Sequence, residues 1–427
     1  MTRFVFTAAL TFACAGCLHF QSKPLDASRR ATALTNRSLS GKTWTLRALT
    51  DEAISNSADI AAARAHYTTA RAALGTANQR PNPTVAISPQ VVTPSVKWIT
   101  GTYGVDFDWT FETADKRSRR LDVADANARA AAAHVVDATW KVRAAVRKAM
   151  LELSAAERKA ALFNDATAKQ GEVIKLIEER IKAGAVSVIE TAQPRLLAAQ
   201  LRLQGTDVAK ASALARAALA ESLTMSTSGL SGAKFSFATF ERIPGKSTSH
   251  RRHALTHRAD VIAALADYAA AEATLRLELA KQYPDIHLNP GYQLDSGENK
   301  WTLGIGLTLP ILNQNQGPIG EAEAMRKEAA AKFDAVQAKV LADCDRAAAG
   351  VSAARAKLAT TNELIAEQDR QIESLGRILA AGEGDKIALL SAEVERATTR
   401  ISRLDAITEL HAALGALEEA TQTPLDK

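Results

Sequence analysis

Alternating apolar and polar side chains mark four short segments of the chain. In TYGVDFDWTF, at 102–111, the odd-numbered residues are apolar and the even-numbered residues are polar or glycine. The sequence WTLGIGLTL at 301–309 alternates in the same way, and 84–92 and 285–294 alternate more loosely. A period of two predicts a β-strand with one apolar and one polar face. The pattern therefore predicts two pairs of strands.

Long segments without helix breakers follow each pair of strands. Residues 113–170 contain neither glycine nor proline, and 321–375 contain only Gly350. At 1.5 Å per residue, each segment predicts a helix of about 80 Å. Helices of that length exceed those of ordinary globular domains and indicate coiled-coil-like packing.

The chain contains two copies of one unit. ADIAAARAHYTTARAAL at 58–74 matches ADVIAALADYAAAEATL at 259–275, and the spacing of about 200 residues is kept through the strands. Each copy reads as helix, strand, strand, long helix and helix. The repeat predicts a first unit at 44–225, a link at 226–257 and a second unit at 258–420.

The first twenty residues, MTRFVFTAALTFACAGCLHF, are typical of an export signal. Their apolar run is too short to span a bilayer as a helix. Ala15 and Gly16 before Cys17 resemble a bacterial lipobox, which predicts a signal peptide at 1–16 and lipidation of Cys17. A plain signal peptide with Cys17 unmodified is the alternative. The remaining predicted boundaries are a linker at 17–43 and a C-terminal tail at 421–427.

The length and faces of the strands favour a membrane barrel. Each has about nine to eleven residues, which suits a tilted transmembrane strand. The polar face is mostly glycine and threonine, and aromatic side chains lie near strand ends. A soluble antiparallel sheet with one face on a core is the alternative. The predicted lipid-facing residues are Tyr103, Val105, Phe107, Trp109, Phe111, Trp301, Leu303, Ile305, Leu307 and Leu309.

Two details qualify the strand prediction. Pro89 and Pro290 lie in the two looser strands and predict a bulge or an irregular hairpin end. Four strands cannot close a barrel, and an open edge in lipid would leave backbone groups unpaired. A membrane barrel built from these strands must therefore be shared between chains.

Composition gives no support for an enzyme or a nucleic-acid-binding protein. The chain has 427 residues, with 53 basic and 47 acidic side chains that alternate along the helices. It has no GxSxG motif, no P-loop and no GxGxxG motif after a strand, so we predict no catalytic residue and no cofactor. HRRHALTH at 250–257 has metal-ligand spacing but lacks the HExxH context, and we predict no metal site there.

This layout resembles the TolC family of outer-membrane efflux and secretion channels over about 44–420. The sequences that carry the resemblance are WTLRALTDEAISNSADIAAARAHYTTARAAL, DWTFETADKRSRRLDVADANARAAAA, KQYPDIHLNPGY and LTLPILNQNQGPIGEAEAMR. The lipoprotein signal and ATWKVRAAVRKAMLEL, which contains Trp140, look most like the RND-type heavy-metal and multidrug efflux branch.

The resemblance implies a mainly α fold with a transmembrane β-barrel portion. Three chains would share a twelve-stranded barrel in the outer membrane and a long α-helical barrel in the periplasm. It implies a non-enzymatic conduit for small molecules or metal ions, which works with a periplasmic adaptor and an inner-membrane pump that is expected to be of the RND type. A type I protein secretion channel and a non-transporting periplasmic or surface coiled-coil protein are the alternatives.

Glycine turns interrupt both long helical segments at matching places. Gly184 lies in RIKAGAVSVIETAQ, and Gly382 and Gly384 lie in RILAAGEGDKIALLSAE. Glycine just past a helix end permits a left-handed backbone, which predicts two helical hairpins. The resemblance implies that these turns dock the adaptor through Gly184, Ala185, Val186, Ser187, Gly382, Glu383, Gly384 and Asp385.

Overall fold

The computed structural model describes residues 20–92, 100–243, 251–295 and 297–424. The predicted signal peptide at 1–16 and Cys17 lie outside the described residues. Both repeats have the predicted order of helix, strand, strand, long helix and helix. The prediction of a mainly α-helical fold with a small sheet is confirmed.

The elements of the first half begin with a short helix and a two-residue strand. In chain order they are α1 (Ala27–Thr35), β1 (Thr43–Trp44), α2 (Leu46–Asn56), α3 (Ala58–Ala77), β2 (Thr84–Val92), β3 (Thr100–Phe111), α4 (Lys116–Lys182) and α5 (Ala192–Ser222). A 3-10 turn, Val188–Thr191, leads into α5. Pro194 is the third residue of α5, so its missing N–H falls in the first turn, where it has no intrahelical acceptor.

The elements of the second half repeat this series after a short connecting strand. They are β4 (Lys234–Phe235), α6 (Arg251–His257), α7 (Ala259–Ala280), β5 (Ile286–Asp295), β6 (Glu298–Leu307), α8 (Gln316–Ala380) and α9 (Lys386–Thr421). The long helices α4 and α8 have 67 and 65 residues, so each is about 100 Å long. Among the described residues, no helix combines the length and the apolar character needed to cross a membrane.

Small side chains allow the long helices to pack closely. Helix α4 contacts α3, α5, α7 and α9, and α8 contacts α7 and α9. The buried positions near the start of α4 are all alanines apart from Lys116: Ala124, Ala126, Ala128, Ala130, Ala131 and Ala133. Alanine loses no side-chain entropy in a helix and keeps neighbouring backbones close.

The largest apolar cluster lies where the N-terminal segment and the link meet the helices. Leu49, Val146, Met150 and Leu219 are fully buried, together with Phe240 of the link at 2% exposure. Beside them, β1 pairs in parallel with β4. The chain ahead of the first repeat and the link after it are thereby joined into one packed layer.

The four long strands form one antiparallel sheet in the order β2-β3-β5-β6. The β2–β3 and β5–β6 ladders keep one register throughout, with Pro89 opposite Tyr103 and Pro290 opposite Leu303. The predicted bulge is therefore wrong for these ladders. Pro89 lies on an edge strand, where a missing donor is tolerated, and the β3–β5 pairing is interrupted opposite Pro290.

The last predicted strand position is also wrong. Strand β6 ends at Leu307, which pairs with Ile286, the first residue of β5. Leu309 therefore has no opposing strand residue and lies beyond the sheet, although its side chain is 64% exposed. Strand β6 therefore ends where its partner strand β5 begins, at Ile286.

A buried ionic cluster joins the two repeats. Arg143 Nε of α4 donates to Glu418 Oε1 of α9 at 2.7 Å, and Arg147 Nη1 lies 3.5 Å from Glu418 Oε2. Glu418 and Arg147 are only 3% and 6% exposed. A Cβ on Gly415 would come within 3.3 Å of Arg147 Nε, so this glycine leaves room for the guanidinium.

We expect Glu418→Gln to destabilise the chain strongly. Amide replacement keeps the shape of the side chain but removes the negative charge beside two cations, and breaking such a buried pair typically costs about 3–5 kcal/mol. The matched control is Glu409→Gln on the same helix. Its pair with Lys357 is half exposed, so a loss of about 1 kcal/mol or less is expected. Urea unfolding of the detergent-solubilised protein measures both, and equal losses would contradict the assignment.

Candidate functional site: the sheet and the helical tips

One face of the sheet is apolar and exposed in the single chain. Of the predicted lipid-facing residues, Tyr103 is 60%, Trp301 80% and Ile305 73% exposed, whereas Val105 is half-buried. The register adds residues from the looser strands to the same face, because Val105 pairs with Ile87 in β2 and with Tyr292 in β5. The sequence pattern missed these additions, and only their pairing partners reveal them.

The opposite face of the sheet is polar. His287 Nδ1 lies 3.0 Å from Asp108 Oδ1, and Lys300 Nζ donates to Asp295 Oδ2 at 2.7 Å. A Cβ on Gly291 would lie 2.3 Å from Asp106 Oδ1, so this glycine gives the carboxylate its space. A sheet with these two faces can separate an apolar medium from an aqueous one.

The two edges of the sheet are open. Within the part of the chain that the structure describes, β2 pairs with β3 alone and β6 pairs with β5 alone. Each edge strand consequently presents a row of backbone N–H and C=O groups without a strand partner. These groups can pair with the edge of another copy of the chain.

A hydrogen-bonded junction connects the sheet to the long helices. Lys116 Nζ, at the start of α4, donates to Asp285 Oδ1 and to the Tyr283 carbonyl, both at 2.6 Å. The residues just ahead of α4 and α8, Asp115 and Asn315, have φ of 55° and 63°. The two repeats therefore turn from strand to helix through the same left-handed position.

The far ends of α4 and α8 carry the predicted glycine turns. Gly184 has φ of 72° and Gly382 has φ of 82°, so the predicted left-handed conformation is confirmed. Both helices end in a Schellman motif: the Ala185 N–H donates to the Arg180 carbonyl at 2.9 Å, and the Glu383 N–H donates to the Ile378 carbonyl at 3.2 Å. These turns lie at the opposite end of α4 and α8 from the sheet.

The second turn has features that the first lacks. A Cβ on Gly384 would come within 2.7 Å of the Leu379 backbone, so only glycine fits there without movement. Asp385 caps α9 by accepting from the Ile387 N–H at 2.8 Å. Arg180 Nη2, from the first turn, donates to Asp385 Oδ1 at 2.6 Å and ties the two turns together.

The hydrogen bonds to Asp385 affect its protonation. The Arg180 guanidinium, and after it the Ile387 N–H, hold the pKa of this carboxyl below its usual value of about 3.9. The stability that the ionised carboxylate contributes is complete above that usual value. It is lost as the pH falls through the lowered pKa of the folded state. Both side chains are more than 40% exposed, so solvent screens this contribution.

Exposed apolar side chains follow the first turn. Val188 and Ile189 are 69% and 78% exposed, next to the predicted docking residues, which end at Ser187. The sequence prediction did not include Val188 and Ile189. In the turn between α4 and α5, the apolar residues do not repeat at helical spacing, so the sequence does not show which side chains face outward. In the second turn, Gly382, Glu383 and Asp385 are exposed, and Gly384 is partly covered.

Comparison with known proteins agrees with this architecture. The model of the outer membrane efflux protein family matches residues 49–224 and 251–422. The cobalt-zinc-cadmium resistance protein CzcC of Cupriavidus metallidurans is 21% identical over 312 residues, which cover 72% of this chain and 74% of CzcC.

Solved structures share the fold at low sequence identity. The outer-membrane channel OprN superposes with a TM-score of 0.74 at 18% identity, covering 97% of this chain and all 100% of OprN. The outer membrane protein VceC of Vibrio cholerae gives a TM-score of 0.72 at 20% identity, covering 88% of this chain and 95% of VceC.

The family match extends over both repeats, and the fold has the paired strands and long helical hairpins of these channels. This is a family of transport channels, not of enzymes, and its members are located in the outer membrane. The chain therefore belongs to the outer membrane efflux protein family and has the TolC-like fold that its sequence resembles.

Proposed function

We propose that the chain forms a homotrimeric conduit, the outer-membrane component of a tripartite efflux system. The observation that carries the proposal is the open four-stranded sheet with one apolar face. In lipid, every backbone polar group needs a partner within the protein, so β6 of one chain must pair with β2 of the next. Closure then takes a multiple of four strands, and the family resemblance favours twelve from three chains.

In this trimer, the apolar face contacts lipid and the polar face lines the lumen. The exposed tyrosine and tryptophan side chains suit the aromatic girdles at the membrane interfaces. The junction at Lys116 and Asp285 keeps the strands continuous with α4, so the barrel opens directly into a helical tunnel.

The helical tips are proposed to dock a periplasmic adaptor, which connects the tunnel to an inner-membrane pump. The support is their exposure at the far ends of α4 and α8 and the uncovered Val188 and Ile189 beside the first turn. The proposed cargo is small molecules or metal ions. The name of the relative CzcC, a cobalt-zinc-cadmium resistance protein, supports cobalt, zinc and cadmium ions as the cargo. The proposal of an RND-type pump rests on the resemblance of the sequence to that branch of the family.

Cysteine cross-linking tests the shared barrel. Ala86→Cys in β2 is combined in turn with Thr302→Cys, Gly304→Cys and Gly306→Cys in β6, all on the polar face. We expect at least one combination to form disulfides between chains in membranes and to give a covalent trimer on a non-reducing gel. Ala86→Cys with Gln293→Cys of the central strand β5, also on the polar face, is the control and should stay monomeric. A covalent product that stops at the dimer would refute three-chain closure.

The tips are tested by Gly184→Val combined with Gly382→Val. Positive φ with a β-branched side chain strains each turn by roughly 1 kcal/mol or more, which is too little to prevent assembly but enough to displace the short loops. We expect normal trimer yield, with loss of adaptor cross-linking and of cellular resistance to cobalt, zinc and cadmium.

The matched control for the tips is Gly205→Val combined with Gly376→Val. Both glycines lie within helices and neither has positive φ. Apart from its chain neighbours and the backbone of its own helix, no atom would lie within 4 Å of an added Cβ. This control should keep adaptor cross-linking and resistance. Normal cross-linking in the Gly184→Val, Gly382→Val protein would remove the docking assignment and leave the barrel proposal standing.

The proposed lipid anchor is Cys17, on the evidence of the Ala15-Gly16-Cys17 sequence. Cys17→Ser should abolish the incorporation of radiolabelled palmitate, because the thiol is the site of acylation. Cys344→Ser, in helix α8 and outside the signal, is the control and should remain labelled. Undiminished labelling of the Cys17→Ser protein would exclude this anchor.

A further inference from the structure

Two histidines stack on the exposed side of the short helix α6. The ring centroids of His253 and His257 lie 4.1 Å apart with an interplanar angle of 15°. Between them in sequence, Ala254 is fully buried and contributes to the cluster that contains Val340 and Cys344 of α8. One side of α6 therefore packs against the long helix, and the two imidazoles lie together on the solvent side.

The spacing of the rings suits chelation of one metal ion. Two zinc–nitrogen bonds of about 2.1 Å at a tetrahedral angle place the nitrogens about 3.4 Å apart. The ring centroids of His253 and His257 are 4.1 Å apart, so both imidazoles lie close enough to reach one ion. Rotation about χ2, which is a broad torsion in histidine, can bring the two Nε2 atoms onto one ion.

A neighbouring hydroxyl orients one of the rings. Thr256 Oγ1 lies 2.7 Å from His257 Nδ1 and 3.3 Å from the His253 carbonyl oxygen, to which it can donate. With its hydrogen on the carbonyl, Oγ1 accepts from the Nδ1–H of His257. The lone pair of His257 is then on Nε2, which is the atom that a metal would bind. Hydrogen bonds of this kind fix the tautomer of many metal-ligating histidines.

Ion pairs reduce the positive charge around the histidines. Arg251 Nη1 lies 3.3 Å from Asp345 Oδ1, and Arg258 Nη2 lies 2.7 Å from Asp260 Oδ2. These carboxylates offset two of the arginines that flank the pair, which lowers the repulsion that a bound cation would meet.

We propose that His253 and His257 form a binding site for a borderline divalent metal ion such as zinc. Imidazole nitrogens suit zinc, copper and nickel, whereas magnesium prefers oxygen ligands. Among the described side chains, no group of three or more histidine, cysteine, aspartate or glutamate residues could hold a metal. Water therefore completes the coordination shell, and the site binds reversibly.

This proposal reverses the expectation from the sequence. The HRRHALTH sequence lacks the glutamate of HExxH. That glutamate acts as the general base of metalloproteases and is not needed for metal binding by the two histidines. The sequence pattern does not predict helix α6, and it is this helix that places both histidines on one face. Both histidines belong to one chain, so metal binding at this site does not depend on the proposed export function.

Isothermal titration of the detergent-solubilised full-length protein with zinc chloride tests the site. The protein carries a purification tag without histidines, so that the tag binds no metal. We expect one zinc ion per chain, with binding lost in His253→Gln and in His257→Gln and retained in His66→Gln, another exposed histidine. Thr256→Val removes the hydroxyl and should weaken binding about tenfold.

Three outcomes would overturn the proposal. The first is the absence of a stoichiometric zinc site in the wild-type protein. The second is unchanged affinity in His253→Gln or His257→Gln. Magnesium chloride, titrated in parallel, should give no site, and a magnesium affinity equal to that for zinc would show that the binding is general surface attraction for cations.

Discussion

Backbone hydrogen bonding at the edges of one small sheet is the constraint on which the rest of the structure depends. A sheet of four strands has two open edges, here at β2 and β6. An apolar medium offers the backbone groups of these edges no hydrogen-bond partners. The alternation of side chains makes the sheet suitable for a membrane, and the open edges make one chain insufficient there. The repeat then has a direct physical meaning, because each repeat supplies one strand pair and one long helical hairpin to the wall of the proposed trimer.

The helices meet a different constraint. Rods of 67 and 65 residues have little interior of their own, so their stability depends on contact along their whole length. Alanine-lined surfaces allow close approach, and buried charged exceptions such as Arg147 and Glu418 occur where the two repeats meet. The broad apolar cluster around Phe240 lies beside the β1–β4 pairing, so the segments outside the repeats pack against the middle of α4 and the end of α5.

The local sequence pattern predicted the elements whose formation depends only on neighbouring residues. The period-two stretches became strands, the breaker-free segments became helices, and Gly184 and Gly382 took the left-handed conformation that ends a helix. Features that depend on distant chain segments were missed. Leu309 falls outside β6 because the partner strand begins at Ile286, and Asp385 finds Arg180 across 205 residues. The spacing of His253 and His257 was visible in the sequence, but their stacking depends on the helix α6, which the sequence pattern does not predict within the link.

The inequality of the two turns has a consequence for stoichiometry. Both end their helices with the same hydrogen bonds, yet only the second has a close-packed Gly384 and the Asp385 cap, and only the first is followed by exposed Val188 and Ile189. A ring of three such chains presents six tips of two alternating kinds and has threefold, not sixfold, symmetry. A partner built from six identical subunits must therefore adopt two alternating binding modes around the ring, whereas a partner with three subunits can meet a single kind.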